Sequence, residues 1–421
     1  MTLLSRTLRL VAFLLIALGL VGTSFAQNLI QYDRPAGQQG VNTFEPPKRD
    51  TAEYNGFEIA IGGAFTQQLQ AIHHSSTGAD LPEIGRGFNL ATANLDLDAQ
   101  LADGIRVHVR SYLSSRHHPE AYVKGGYLQL NELPFDNPAL SSLMEDLTIR
   151  AGHFMPNYGD THFRRTDNAD AIHNPFVGNN VLDAFTTEVG AEAIYESEGF
   201  LLVGGFGGEL DPTVRSPDER APSFHGKVGY DQKFGESLRV RLTGSVYYTK
   251  SSLATHLHSG DRAGSRYYDV VGGGDWSGRM RSGFGDQVTS FMVNPFVRVG
   301  GIEVFGTIER VSGRKVGGQG DGSLEQYAVE VIYRFAGNDL FVGARYNTAS
   351  GDLDLSAYNE PANWTGGNTV DRWQASAGWF LTENIQMKAE YVTQSYEGYP
   401  SGSVYEGAEF DGLVLEAVVS F

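Results

Sequence analysis

The chain has 421 residues, no cysteine, 52 glycines, 11 % aromatic residues and a formal net charge of −18 at pH 7. An acid excess of this size repels a polyanion and argues against a nucleic-acid partner. The lack of cysteine excludes a small disulfide-stapled scaffold, and glycine stands well above the usual ~7 %.

Residues 1–26 read as an export signal peptide. Arg6 and Arg9 precede the apolar run from Leu10 to Gly22. Thr23, Ser24 and Ala26 put small residues where a signal peptidase reads, so cleavage is expected after Ala26. The run is too short to cross a bilayer as a helix. No later stretch is long enough either, so a membrane form of this protein must cross with strands. Residues 27–54 are polar, carry proline and show no period. They are expected to be an extended N-terminal segment, read first as a linker, with a plug or a periplasmic contact as the alternatives.

From Gly56 onward the period is two. Phe57, Ile59, Ile61 and Phe65 alternate with Glu58, Ala60, Gly62 and Thr66, and Ile105, Val107 and Val109 alternate with Arg106, His108 and Arg110. This is the signature of a strand with two unlike faces. It predicts sixteen strands, near 55–69, 87–99, 104–113, 121–131, 146–153, 187–196, 199–208, 222–230, 237–249, 289–299, 302–312, 323–335, 339–348, 369–380, 384–394 and 411–421. The connections alternate between short turns, such as Gly300-Gly301, and long loops, such as 154–186 and 250–288. Residues 132–145 are a longer link on the short side, with room for a helical turn. Short turns on one rim and long loops on the other mark a transmembrane barrel. The uncharged strand face then meets lipid, and the charged face, on which Ile332 and Val418 also fall, lines water. Tyr112, Tyr248, Tyr346, Tyr195, Tyr333, Phe335, Trp379 and Phe421 lie near strand ends and are expected to form two interfacial girdles. The fold class is therefore all-β: a 16-stranded antiparallel transmembrane β-barrel over residues 55–421, with an aqueous lumen.

One connection is too long for an idle turn. Residues 154–186 link two clear strands and hold Met155, Ile172, Phe176, Val177, Val181, Leu182 and Phe185. Long loops in compact proteins are functional or disordered, and this apolar content opposes disorder. The loop is expected to fold inward and constrict the pore.

It is also the third long loop. A barrel of sixteen strands with such a loop resembles the general bacterial porins, in which the third external loop forms the constriction. The stretch Gly152-His153-Phe154-Met155-Pro156-Asn157-Tyr158-Gly159 is similar to a motif of the phosphate-selective porin O and P family. The block from Tyr158 through Asn174-Pro175-Phe176-Val177-Gly178-Asn179 to Glu188 resembles porin-like barrels of Bacteroidota-type bacteria. The terminal Phe421 resembles the signature by which outer-membrane barrels are recognised for insertion. The resemblance implies a porin in the outer membrane of a Gram-negative-type bacterium. It further implies contact with lipid and lipopolysaccharide, passage of small hydrophilic solutes, and a homotrimer. The basic residues by which the phosphate-selective family binds anions are not placed here residue by residue, so phosphate specificity is not carried over. A phosphate-type anion channel, a fatty-acid transport barrel and a non-conducting structural barrel remain the alternatives.

Candidate constriction residues are Asp160, His162, Arg164, Arg165, Asp167 and Asp170. Candidate lumen-lining residues are Arg106, Arg110, Arg150, Arg239, Arg241, Asp96, Asp98, Glu188 and Glu192. Opposed charges across a narrow lumen would set up a transverse field, while scattered salt bridges on a solvated wall fit the same residues. Arg164 and Arg165 suit an anion, but the favoured reading is that they pin the loop to acids such as Asp96, Asp98 or Glu188. His73-His74, His117-His118 and His256 with His258 are read as surface residues, since adjacent histidines rarely share an ion. No metal or cofactor is expected. Without a Gly-x-Ser-x-Gly motif or a Ser/His pair with a clear carboxylate partner, catalysis is not expected either.

Overall fold

The computed structural model describes residues 30–49, 52–114, 120–135, 137–208, 221–250, 257–258, 267–272, 278–280, 282, 284–315, 321–352 and 367–421. The expected signal peptide, its cleavage point, His117, His118 and His256 lie outside them.

Period-two alternation produces sixteen long strands. In chain order they are β1 (Glu58–Ser75), β2 (Thr92–Ala102), β3 (Ile105–Ser114), β4 (Glu120–Leu130), β5 (Leu147–Phe154), β6 (Glu188–Ser197), β7 (Phe200–Gly208) and β8 (Ser223–Phe234). Then follow β9 (Leu238–Thr249), β10 (Phe284–Val299), β11 (Ile302–Lys315), β12 (Asp321–Phe335), β13 (Leu340–Asp352), β14 (Gly367–Thr382), β15 (Ile385–Glu397) and β16 (Glu409–Ser420). Each pairs antiparallel with the next, and β16 pairs with β1 from Ala64 opposite Ser420 to Ser75 opposite Glu409. The sheet is thus closed, which leaves no edge open to pairing with another chain.

Every predicted strand is present, with two kinds of difference. The expected strand 87–99 is two pieces: Gly87–Phe88 pairs alone with Leu69 and Gln70, and pairing resumes at Thr92. Several strands also run further towards the long loops than expected. β10 starts at Phe284 and β13 ends at Asp352. Hydrophobic alternation reports only the part of a strand bathed in lipid, whereas backbone pairing continues beyond it into polar sequence. The link after β4 holds a short helix, α1 (Pro138–Met144). Asn137 caps it by accepting a hydrogen bond from Leu140 N, and proline occupies its first turn.

The outward face is apolar and exposed. Ile59, Ile61 and Phe65 on β1, Val329 and Val331 on β12, and Leu413 and Leu415 on β16 all point away from the interior. A continuous apolar band of this extent is a lipid-facing surface. Aromatics gather towards its margins. Tyr333 stacks on Phe335 with ring centroids 5.5 Å apart, and Tyr346 lies 4.5 Å from Trp373. Tyr112, expected in the girdle, instead points inward and is fully buried. It follows Arg106, His108 and Arg110 in the inward register of β3.

The inward face is not simply polar. Val288, Val311, Leu324, Ala349, Val370, Val392 and Val414 point inward near the long-loop ends of β10–β16 and are buried with Val177, Val181 and Leu182. Lower down, Ile332, Phe341, Phe380 and Val418 bury Ala171, Ile172 and Phe176. These apolar positions break the polar pattern because chain, rather than water, covers them. The N-terminal segment differs from a linker too. Ile30, Gln31, Asn42, Phe44 and Glu45 are buried, and Phe44 packs edge-on against Phe163 and Phe296.

Val329→Arg should destabilise the folded barrel by about 2–4 kcal/mol, the cost of a cation at the lipid midplane. Equilibrium unfolding in lipid vesicles measures it, and a loss under about 1 kcal/mol would mean that this face does not meet lipid.

Candidate functional site

The connection from β5 to β6 has almost no regular structure, only a single turn of helix at Thr161–Phe163. Its backbone groups need partners, because a buried unpaired N–H or C=O is costly. Inward-facing side chains of the wall supply many of them. Asp160 N donates to Asn294 Oδ1 at 2.8 Å, Val177 N to Glu390 Oε2 at 2.7 Å, Val181 N to Asn347 Oδ1 at 2.6 Å and Leu182 N to Gln326 Oε1 at 2.8 Å. Cations of the wall cap the carbonyls. Lys388 Nζ donates to the carbonyls of Ala171, Asn174 and Phe176 at 2.8, 3.0 and 3.2 Å. Arg345 donates to the Gly178 carbonyl, Arg372 to that of Asn179 at 2.6 Å, and Lys227 to that of Gly159 at 2.7 Å. On the opposite side Thr66 Oγ1 donates to the Ala169 carbonyl at 2.6 Å and Asn94 Nδ2 to that of Asp167 at 3.2 Å. With the contacts of Tyr158 to Glu309, of Asp160 to Arg241 and of Asp170 to Arg110, the connection touches β1–β3 and β8–β15.

Each candidate constriction residue has a defined place. Asp160 is completely buried and accepts from Arg241 Nε at 2.8 Å, Arg241 Nη2 at 2.9 Å, Lys227 Nζ at 2.9 Å and Thr243 Oγ1 at 2.8 Å. Burial opposes its ionisation, but Arg241 and Lys227 outweigh that and hold the carboxyl far below the usual carboxylate range. His162 stacks on Phe163, and burial, reinforced by the Lys227 charge, pushes it down to about 3. It is neutral at ordinary pH. Asp167 and Asp170 exchange backbone hydrogen bonds of 3.0 and 2.9 Å, and their carboxylates lie 3.7 and 3.4 Å from Arg110.

Arg164 and Arg165 do not reach Asp96, Asp98 or Glu188. Arg165 forks onto Asp183 of the same connection at 2.8 and 2.7 Å, and its guanidinium lies 4.1 Å from the Phe185 ring centre. Arg164 reaches Glu330 at 3.3 Å, Glu303 at 3.8 Å and the Asn42 side chain. The expected acids are already engaged by residues of the wall. Asp96 stands opposite Arg110 in register and binds it at 2.7 and 2.8 Å. Asp98 binds Arg106 at 3.0 Å and His108 at 2.9 Å. Glu188 accepts from Tyr247 and Ser223.

The remaining lumen residues are paired in the same manner. Arg150 meets Glu192 at 3.3 Å and Arg239 meets Asp231 at 2.6 Å. The charges therefore do not face one another across open space. Arg110, Arg150 and Arg239 pair with acids of the adjacent strand, because antiparallel register sets them side by side. Glu192 also reaches His225 two strands away at 3.1 Å, and Arg241 binds Asp160 and Glu45. The wall under the connection is closed to water: Asn294, Gln326, Asn347 and Glu390 are 0 % exposed. Solvent still reaches Arg110, Arg150, Asp96 and Asp170, whose side chains keep 14–24 % exposure.

Sequence reading missed several members of this site. Lys227, Asn294, Glu309, Gln326 and Asn347 bind the connection, but an Asn or Gln on an inward strand position looks the same whether it faces water or a peptide group. Two further differences concern histidines. His74 is buried between the Pro82 carbonyl, at 2.7 Å, and Val271 N, at 2.9 Å, and buried His258 meets Glu309 at 2.8 Å. Neither is a surface residue. The N-terminal segment also contributes: Glu45 binds Arg241 at 2.9 Å and lies 3.4 Å from Lys227.

No protein-family model and no curated protein matches the chain. Solved structures do. The trimer form of in-vitro folded OmpT, an outer membrane protein of Vibrio cholerae, superposes with a TM-score of 0.52 at 13 % identity, covering 87 % of this chain and 100 % of that one. The anion-selective porin from Comamonas acidovorans gives 0.52 at 12 % identity, with 87 % and 100 % covered. The outer membrane channel DcaP of Acinetobacter baumannii gives 0.51 at 14 % identity, with 88 % and 99 % covered. At such identities the likeness is one of fold, that of a porin-like outer-membrane barrel.

Two predictions follow from the site. Arg241→Met leaves Asp160 and Glu45 in a buried acid pair with fewer cations, which should cost about 3–5 kcal/mol and raise hydrogen exchange in residues 157–165. Unchanged exchange there would show that Arg241 does not hold the connection. Acid should act on Glu45, whose carboxyl is held at about 2 by Arg241 and Lys227 against the opposing effect of burial. A depressed carboxyl contributes stability that is complete above its unfolded value of about 4.3. That contribution should fade as pH falls from there towards 2, read as rising protease access to residues 30–49.

Proposed function

We propose that the protein is a porin of the bacterial outer membrane, passing small hydrophilic solutes or ions by diffusion through its barrel. The carrying observation is the union of an apolar outward face with a charged, hydrogen-bonded inward face on a closed sheet of sixteen long strands. A barrel built this way presents oil to lipid and ions to its interior, the arrangement an aqueous conduit requires. The fold shared with the Comamonas porin and with DcaP agrees with this reading.

In this reading the connection 154–186 is the constriction. It narrows the lumen from the β8–β15 side and leaves the passage along β2–β5, where Arg110, Arg150, Asp96, Asp167 and Asp170 keep contact with solvent. Arg164 and Arg165 act by holding the loop rather than by selecting the solute. The chain is exported by its signal peptide, contacts lipid and lipopolysaccharide, and assembles as a homotrimer, as the trimer form of Vibrio OmpT does. The cations of the passage are paired with carboxylates, so ion preference should be weak.

Reconstitution in planar bilayers tests the function. Stable ohmic steps are expected, with a small reversal potential in a salt gradient. Complete silence under every condition would overturn the proposal. Replacing 160–180 by a short Gly-Ser linker should raise the conductance, and an equal conductance would place the constriction elsewhere.

A further inference from the structure

Residues 30–49 have no role in the reading above, yet they are among the most engaged in the molecule. The segment crosses the short-turn mouth and touches its rim at separated points. Gln31 Nε2 donates to Asp103 Oδ1 at 3.0 Å, and Gly104 N donates to Gln31 Oε1 at 2.8 Å, both at the β2–β3 turn. Across the mouth, Gln38 N donates to the Glu383 carbonyl at 2.7 Å and Gln38 Nε2 to the Asn338 carbonyl at 3.0 Å, at the β14–β15 and β12–β13 turns. Lys48 Nζ donates to the Asn131 carbonyl after β4 at 2.9 Å, and Arg239 on β9 donates to the Asn42 carbonyl at 2.8 Å. Above it lies the constriction: Arg34 Nη2 donates to the Phe163 carbonyl at 3.1 Å, and Phe44 packs on the Phe163 ring.

We propose that residues 30–49 are a tethered plug that shuts the short-turn mouth and can leave it, held in place by Asp33 and Glu45 standing against cations of the wall. The inference rests on the pore reading above. Three observations carry it. First, the segment is not part of the wall. Pro35, Pro46 and Pro47 lack the N–H that would let it join a sheet, and its anchors are mostly side-chain hydrogen bonds. Its departure breaks no strand pairing.

Second, its two carboxylates are inserted among wall cations, Asp33 at 2.9 Å from Arg106 and Glu45 at 2.9 Å from Arg241. Third, those cations have resident acids as well. Arg106 keeps Asp98 at 3.0 Å, and Arg241 keeps Asp160 at 2.8 Å and Asp231 at 3.1 Å. A buried cation stripped of every partner is prohibitively costly. Here the wall stays compensated when the plug withdraws, so release is reversible rather than a route to unfolding.

The chain has no native cysteine, which makes a thiol test clean. Gln39 Nε2 lies 2.9 Å from Glu383 Oε2, so Gln39→Cys with Glu383→Cys can be joined by a reducible thiol crosslinker. In planar bilayers the crosslinked protein should stay closed, and reduction should restore openings. A chain lacking residues 30–49, shown to be folded by heat-modifiable gel mobility, should conduct several-fold more than the full chain. Asp33→Asn combined with Glu45→Gln should fall between. Equal conductance before and after reduction, in a protein that conducts, overturns the plug and leaves the pore standing. Silence in every form, including the deletion, overturns the pore and the plug with it.

Discussion

An irregular chain enclosed by a barrel has no adjoining strand to complete its backbone hydrogen bonds. That constraint governs the interior of this protein. The connection between β5 and β6 contains almost no helix or strand, so its peptide groups must be met by side chains from the wall. Asn294, Gln326, Asn347 and Glu390 accept its N–H groups, while Lys227, Arg345, Arg372 and Lys388 donate to its carbonyls. Each of these residues sits on a rigid strand, and this fixes an otherwise shapeless segment to within hydrogen-bond tolerance. The glycines fit the same demand. Gly159 has φ +69°, and a Cβ there would come within 2.2 Å of Met292 Sδ, so the chain can turn against the wall only without a side chain.

The buried ions do a different job from the apolar contacts. Arg241 joins β9 to Asp160 of the connection and to Glu45 of the N-terminal segment, and Lys227 of β8 reaches both acids. Desolvation cancels much of what such pairs gain, so they contribute arrangement more than net stability. The driving force comes from apolar burial. Val177, Val181 and Leu182 meet the collar made by Val288, Val311, Leu324 and Val370, and Ile172 and Phe176 meet Ile332, Phe341 and Val418. Each such side chain contributes ~1.5–3 kcal/mol when fully buried. The ionic knot then fixes the connection against β8 and β9, because a shift there would separate Asp160 from Arg241 and Lys227.

The two faces of the wall follow from one backbone rule. Successive side chains alternate, so a single strand can serve lipid and interior at once. Ile59 and Ile61 meet lipid while Asp96 and Arg110 pair inside, and no strand needs a different rule from its neighbour. Closure of β16 onto β1 then turns sixteen such ribbons into a continuous boundary between two solvents.

The sequence by itself determined the boundary. Sixteen alternating stretches, segregated loop lengths and the inward register of residues such as Arg106, Arg241 and Glu188 were all legible, because each depends on local period and polarity alone. It also marked Ile332 and Val418 as apolar intruders on the charged face without saying why. Tertiary structure decided what covers that face. Whether Gln326 binds water or the Leu182 peptide, whether Arg165 finds Glu188 or Asp183, and whether residues 30–49 trail away or enter the mouth all depend on contacts between segments far apart in the chain. Periodicity carries no information about those, since an inward position reads the same beside water as beside a buried loop.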